Sequence, residues 1–416
     1  MNAIVIINYI ISVLFAVCYS YQLVYVLIGL FRKPRKYTAK TNHRYAAVIS
    51  ARNEENVIAN LIKSINDQEY PKELIDTYVI ADNCTDGTAD VARSSGANVL
   101  ERCNHELVGK GYALDWFFNV LKGEGKDELY DGYIIIDADN VLDKNFVSEM
   151  NKVFDNGYRV VTSYRNSKNY DENWITSGYS LWFIREARYL NNVRMQLGTS
   201  CAISGTGFLV SSEIFRENGG WIHHLLTEDI EFTTDCIIKG EKIGYCADAM
   251  LYDEQPVKFQ QSYAQRLRWA KGFYQVFKKY GAKLVKGIFK GSFACYDMLM
   301  TLMPAVLLTC ASVCVNLVAI PLGIINHSMA GFASALIPVL QTLGYILGMF
   351  FVLGLITTVT EWKQIHSKWY KKLFYLITFP VFMLTYIPIS FIALFRKVEW
   401  SPIEHTVSKT VEDICK

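Results

Sequence analysis

The chain has almost no net charge, no paired-cysteine motif and no internal repeat, and each absence removes a class of function. Its 42 lysines and arginines stand against 40 aspartates and glutamates, a formal charge of +2. No bulk electrostatic attraction therefore draws it to nucleic acid. Ten cysteines are scattered without a C-x-x-C pair or other metal spacing. Cys84, Cys103, Cys201, Cys236 and Cys246 fall in the polar part of the chain. Their irregular spacing fits reduced, structural thiols in cytosol rather than a disulfide framework. Self-similar or low-complexity stretches are also missing, which sets repeat arrays aside.

What is present is a sharp segregation of charge. Residues 40–290 carry most of it, whereas 1–31 and 293–395 are overwhelmingly apolar. Residues 3–31, interrupted mainly by Asn8 and Gln22, are long enough to cross the hydrocarbon of a bilayer. They end in Arg32-Lys33-Pro34-Arg35-Lys36, a basic cluster expected to stay cytosolic. A cleaved signal peptide would be shorter, with a basic start and a small-x-small site before the cluster. Two more spans are expected near 298–325 and 332–358, joined by the uncharged Asn326-His327-Ser328. The following loop carries Lys363, Lys368, Lys371 and Lys372 and reads as internal. Segment 373–395 is apolar enough to span, but Pro380 and Pro388 break it. The basic pair Arg396-Lys397 behind it favours an interfacial segment with the tail inside. The expected organisation is a transmembrane helix and basic stop (1–36), a cytosolic domain (40–255), amphipathic interface helices (256–297), a membrane region (298–395) and a cytosolic tail (396–416).

Within the polar domain, short apolar runs alternate with helix-length stretches: Ala46–Ser50, Tyr78–Ala81, Asn98–Leu100, Tyr133–Ile136 and Arg159–Thr162. That pattern predicts an α/β fold with a mostly parallel, buried sheet and helices on both faces. Ligands bind beyond the carboxyl ends of such strands, and there the acidic residues Asp82 and Asp137-Ala138-Asp139 stand. Paired carboxylates at a strand end repel unless a cation neutralises them. Mg²⁺ or Mn²⁺ favours one or two carboxylates plus phosphate oxygens. Asp139 is therefore the expected metal ligand, with Asp137 touching metal or ribose; a helix-capping Asp is the plainer alternative. Gly109-Lys110-Gly111 offers close backbone approach and a point charge to a phosphate. Ser50-Ala51-Arg52-Asn53-Glu54-Glu55 is by itself a polar turn, and Asp82-Asn83-Cys84-Thr85-Asp86-Gly87-Thr88 by itself an Asp-capped helix start. Thr227-Glu228-Asp229 opens a helical run, where capping is again the plain reading. Gln265-Arg266-Leu267-Arg268-Trp269 lies in an amphipathic helix of about 260–279. Arg266, Lys271, Lys278 and Lys279 are expected to face water or headgroups on it.

In this order the motifs resemble the membrane-embedded processive glycosyltransferases of family 2, which include cellulose, chitin and hyaluronan synthases. The resemblance covers about residues 45–272 and implies a cytosolic GT-A (Rossmann-like) domain. It implies that Ala51, Glu54 and Asp82 contact the nucleoside, Lys110 the diphosphate, and that Asp229 is the catalytic base supported by Glu228. Gln265 and Trp269 would hold the acceptor's terminal sugar, and Arg268 the diphosphate or the motif carboxylates. Ser204-Gly205-Thr206-Gly207-Phe208 matches loosely a loop on the acceptor side, and Trp221 reads as core. The tail around Trp400, Glu404 and His405 corresponds by position alone to a gating loop over the diphosphate, with His405 reaching metal or phosphate. The reading is an inverting polysaccharide synthase of the plasma membrane. It would be Mg²⁺- or Mn²⁺-dependent, with a UDP-sugar donor (glucose or N-acetylglucosamine), a glycan acceptor and lipid neighbours. Three firm spans make a narrow pore, which leaves room for a homo-oligomer or secretion partner subunit. The alternatives are a non-processive enzyme adding one sugar to a lipid acceptor, and a silent scaffold or sugar-nucleotide sensor.

Overall fold

The computed structural model describes residues 2–303, 307–309, 311, 312, 314–316, 318, 321, 329–403 and 405–415. One eight-stranded sheet organises the polar domain: β1 (Tyr45–Ala51), β2 (Ile75–Asp82), β3 (Asn98–Arg102), β4 (Gly132–Asp137), β5 (Val141–Leu142), β6 (Val160–Ser167), β7 (Phe208–Ser211) and β8 (Ile243–Asp253). Its order is β3-β2-β1-β4-β7-β6-β8-β5. Strands β3, β2, β1 and β4 are parallel. Their near-continuous apolar composition follows from burial on both faces: in β1 only Ser50 escapes it. Register aligns Ala51 with Ala81 and Ser50 with Asp137, so the first, second and fourth strands end along one edge.

Two strands depart from the expected parallel sheet. β7 runs antiparallel between β4 and β6, and β5 antiparallel to β8. With four and two residues, neither is long enough to show a period of its own in sequence. β7 is preceded by Gly207, at φ 64°. A Cβ there would meet Leu251 at 1.8 Å and the Ser163 hydroxyl at 2.7 Å. Trp221 is core, 1% exposed, with its indole N–H donating to the His223 carbonyl.

The helices that matter to the site are α1 (Asn2–Tyr19), α2 (Tyr21–Phe31), α3 (Ile58–Asn66), α4 (Thr88–Ser94), α5 (Lys110–Gly123), α6 (Phe146–Asp155), α7 (Trp174–Arg185), α8 (Asn192–Leu197), α9 (Ser212–Asn218), α10 (Glu228–Lys239) and α11 (Phe259–Phe289). Further helices are α12 (Phe293–Leu302), α13 (Met329–Thr360), α14 (Trp369–Leu384), α15 (Tyr386–Phe395) and α16 (Val411–Ile414). The interfacial helix α11 is 31 residues long, a full ten residues beyond the expected end near 279. Arg266 is not turned to water or headgroups as expected. It is fully buried, donating to Thr385 Oγ1 at 2.7 Å and the Phe382 carbonyl at 3.4 Å, because α14 and α15 cover that face. Leu267 packs on Ile389 and Ala393 of α15.

By length and composition three helices can cross a membrane: Ile6–Phe31, Leu340–Thr360 and Trp369–Phe395. Much of the expected 298–325 span, and the loop Asn326-His327-Ser328, lie outside the described residues. Both ends of 369–395 hydrogen-bond back to the polar half of the chain. Lys371 Nζ donates to Asp171 and Lys271 Nζ to the Ala393 carbonyl.

The apolar helix α2 is fastened to the polar domain by buried charge. Arg194 of α8 makes two hydrogen bonds to Asp297 of α12, at 2.7 and 2.8 Å, both side chains 3% exposed. Tyr21 and Tyr25 of α2 donate to the same carboxylate. Removing one partner of such a pair leaves the other charge buried alone. Asp297→Ala should therefore destabilise the fold by about 3–5 kcal/mol, measured by denaturation in detergent, whereas Tyr21→Phe should cost about 1 kcal/mol. Gly207→Ala should cost about 1–3 kcal/mol by overpacking against Leu251, read by the same melt.

Candidate active site

The loops after β1, β2 and β4 meet at one end of the sheet. In the first, Asn53 takes φ 59° and its side chain accepts the Thr85 N–H, tying the loop to the turn after β2. In that turn Asp86 accepts from the backbone and hydroxyl of Thr88, so Asp86 and Thr88 serve the turn itself. Asp82 ends β2 almost fully buried. Its Oδ1 accepts from Arg102 Nη1 at 2.5 Å and from Asn83 Nδ2 at 3.1 Å. Arg102 ends β3, and its second amino group donates to the Leu107 carbonyl. Ala51 lies buried at the end of β1.

Lys110 opens α5 and reaches across to β4. Its ammonium donates to Asp137 Oδ1 at 2.5 Å and to the Gly205 carbonyl at 2.9 Å. The Gly205 N–H in turn donates to Asp229 Oδ2 at 2.7 Å. One residue, Gly205 at φ +82°, thus joins the strand-end aspartate, through Lys110, to the acidic start of α10. Glu228 and Asp229 sit side by side in the first turn of that helix. Burial pushes both carboxyls above the usual carboxylate range, and Asp229 adds to the push on Glu228. The Ile230 and Gly205 N–H groups and Lys110 oppose the shift at Asp229.

Asp139 is 6% exposed, with Oδ2 accepting from the Glu254 N–H at 3.0 Å. Burial raises its carboxyl, but His405, Lys168 and Arg165 outweigh this and hold it below the usual range. His405 Nδ1 lies 2.9 Å from Glu54 Oε1 and 3.0 Å from Oε2. Burial acts against protonation of its imidazole, yet Asp139, then Glu54, drive it up to about 10. Glu254 accepts the successive N–H groups of Thr406 and Val407 at 2.9 Å each, fastening the tail across this side. Trp400 roofs the cleft: the Arg52 guanidinium lies 5.2 Å from its ring centre, and a Cβ on Gly109 would stand 3.8 Å from it. Glu404 lies outside the described residues.

On the opposite side, α11 presents Gln265, Arg268 and Trp269. Gln265 Oε1 is buried without a partner, and Arg268 is close enough to Glu228 to lower its basicity. Trp269, half-buried, meets Tyr179 edge-on at 5.7 Å and Phe183 at 6.1 Å. Arg165 stacks on Phe183 at 3.7 Å, donates to the Ser204 carbonyl at 2.8 Å and pairs with Asp253. Glu186 accepts weakly from the Ser204 hydroxyl at 3.4 Å and feels the Asp229 charge.

The donor set around Asp139 suits a hard divalent ion. It offers carboxylate oxygen from Asp137 and Asp139, a shell that phosphate oxygens would complete, while His405, driven up and held on Glu54, stands beside it as a cation. Among the described residues no group of three or more acidic, histidine or cysteine side chains is placed to hold a metal ion by itself. The structure therefore brings Ala51, Glu54, Asp82, Lys110, Asp137, Asp139, Glu228, Asp229, Trp400 and His405 around one cleft. Sequence reasoning missed Arg102, Arg165, Lys168, Glu186, Asp253 and Glu254. Asp253 ends β8 and Glu254 follows it, and the strand-end rule would have found them had β8 been recognised.

Residues 43–272 match the sequence model of a family described as glycosyltransferase like family 2. The beta-monoglucosyldiacylglycerol synthase of Nostoc sp. is 26% identical over 304 residues, covering 70% of this chain and 62% of that protein. The probable glycosyltransferase YdaM of Bacillus subtilis is 26% identical over 266 residues, 58% of each chain. A 4,4'-diaponeurosporenoate glycosyltransferase of Staphylococcus aureus is 42% identical over 87 residues, 20% of this chain and 22% of that one. The chain thus spans 62% or less of the length of these relatives. Among solved structures, the mannosyltransferase PcManGT from Pyrobaculum calidifontis, in complex with GDP-Man and Mn²⁺, superposes with a TM-score of 0.60 at 14% identity, covering 94% of this chain and 99% of that one. That likeness gives the fold, a GT-A-like α/β sheet. The family match takes in every motif from the β1 loop to Gln265–Trp269, and the chain belongs to the family 2-like glycosyltransferases.

Proposed function

We propose that this glycosyltransferase moves one sugar from a UDP-sugar to a hydroxyl of a membrane lipid, with its catalytic domain in the cytosol. One observation carries the reading. Glu186 feels the Asp229 charge, and its neighbour Arg185 hydrogen-bonds Gln22 of the apolar helix α2, so the side chains next to the proposed base connect to that helix. The relatives named for lipid-soluble products, a glucosyldiacylglycerol and a diaponeurosporenoate glycoside, support the same acceptor class over a long glycan. The hydrogen bonds at both ends of 369–395 support an interfacial segment there, with the tail on the catalytic side.

In this mechanism Asp82, one oxygen fixed by Arg102, offers the other to the nucleobase, with Ala51 and Glu54 beside it. Lys110 faces the diphosphate. A Mg²⁺ or Mn²⁺ ion held by Asp139, with Asp137 and His405 alongside, would supply positive charge for the departing diphosphate. Asp229 accepts the proton of the acceptor hydroxyl, which is a poor nucleophile until that proton leaves. Its raised basicity suits the task, and Glu228 and Lys110 set the field around it. Attack from the face opposite the diphosphate inverts the anomeric centre, so an alpha-linked donor gives a beta-linked product. Gln265, whose buried Oε1 lacks a donor, and the half-exposed Trp269 meet the acceptor's polar head. The same two groups would suit a sugar terminus, and they favour the chain-extending enzyme as a second reading.

Purified full-length protein in nanodiscs, supplied with Mn²⁺ or Mg²⁺ and single UDP-sugars, should glycosylate added diacylglycerol once, as read by mass spectrometry of the lipid fraction. High-molecular-weight product on a gel, formed without lipid acceptor, would replace this reading with the polysaccharide synthase. Asp229→Asn should retain UDP binding and lower kcat by about 10²–10⁴-fold. A base works deprotonated, so kcat should fall as pH drops through the raised Asp229 value. The acid limb should therefore lie above the ordinary aspartate range; a limb at or below that range would unseat Asp229 as the base.

A further inference from the structure

Arg185 is a buried cation with no anion on it. It closes α7, is 6% exposed and lays its guanidinium 4.8 Å from the Trp182 ring centre. Nη2 donates to Gln22 Oε1 of α2 at 3.0 Å, a neutral acceptor, and Nε is buried without any partner. Among the described residues, three other largely buried arginines each carry an anion. Arg102, Arg165 and Arg194 pair with Asp82, Asp253 and Asp297. Arg266 also lacks an anion and has a buried, unpartnered Nη2, but it is sealed at 0% exposure, with oxygens of Phe382 and Thr385 on Nη1.

The local backbone keeps Arg185 apart from its acidic neighbour. Immediately after it the chain widens into a π-helical turn, Glu186–Asn191, a form found mostly at functional sites. Glu186 is turned to Ser204, while Arg185 is turned to α2. Burial therefore goes uncompensated and pushes the guanidinium down to about 10. An isolated buried charge is costly to keep, and the cost is recovered when an oxyanion meets its free donors. The seam lies against membrane: Leu23, Val24 and Leu27 of α2, next to Gln22, are 68%, 53% and 55% exposed and apolar. A lipid can lay its acyl chains on them while its head reaches Arg185.

We propose that Arg185, with Trp182 and Gln22, binds the phosphate or carboxylate of a membrane lipid headgroup at the seam between the catalytic domain and α2. The oxyanion belongs either to a resident anionic lipid or to the acceptor itself. The site stands on the seam geometry, and its test reads lipid retention rather than product.

The probe is phosphatidylglycerol, mixed with phosphatidylcholine in nanodiscs holding the full-length protein, with retained lipid counted by native mass spectrometry. Wild-type protein should retain phosphatidylglycerol in preference, and Arg185→Gln should lose that preference by roughly tenfold or more, with UDP binding intact. Equal retention by the two proteins overturns the proposal. Should Arg185→Gln fail to fold, Gln22→Leu frees Nη2 while keeping the charge. It should retain at least as much phosphatidylglycerol, and loss of the lipid in that variant also overturns the site. A rise in acceptor KM with phosphatidylglycerol marks the site as the acceptor's own, and an unchanged KM marks a separate resident lipid. Glycosylation of diacylglycerol is scored independently, so failure of the lipid-acceptor reading and failure of this site are told apart.

Discussion

The candidate site depends on the backbone N–H and carbonyl of Gly205. Its carbonyl holds the Lys110 ammonium, which also grips Asp137, and its N–H holds the Asp229 carboxylate. A cation and two acids from three separate elements are thereby fixed at hydrogen-bonding distance. Such a link is strong because every hydrogen bond in it is charge-assisted. It also requires a backbone at φ +82°, which a glycine adopts without steric penalty. Gly207, two residues on, admits the close passage of Leu251 and lets β7 enter the sheet antiparallel. A short, irregular loop thus connects the end of the sheet that resembles a nucleotide site to the start of α10.

Charge buried in pairs fastens the other parts of the chain to this centre. Arg194 and Asp297, with two tyrosines of α2, lock that apolar helix to the polar domain. Glu254 and Glu54 hold the tail through backbone N–H groups and His405. Each junction is a satisfied polar cluster, and a satisfied cluster specifies one relative placement where an apolar contact would tolerate several. Arg185 and Arg266 depart from this habit, each buried with neutral partners only, and Arg185 does so against the apolar helix α2.

Much of the architecture was legible in advance. Four strands of the parallel half, the strand-end acids and the lysine loop could be read because each carries a local signature: an apolar run, a paired carboxylate, a glycine-flanked cation. The orientation of α11 was not. Arg266 looked solvent-facing because four basic residues share an amphipathic pattern, yet α14 and α15, more than a hundred residues later, cover that face. β7 and β5 were invisible because two to four residues carry no period. The acceptor class was misjudged in emphasis for a related reason. Gln265 and Trp269 describe a surface for hydroxyls, and the direction from which the acceptor reaches them is a property of packing.

The sequence by itself determined the family, the α/β class and the identity of the acidic and basic groups, because these follow from residue type and from contacts over a few residues. Tertiary structure alone decided which of those groups touch. It put Lys110 on Asp137, His405 on Glu54 across 351 positions of chain, and Arg185 beside a membrane helix. Pairings at such separations depend on how the helices close around the sheet, and a charge announces its sign in the sequence but not the partner that burial assigns to it.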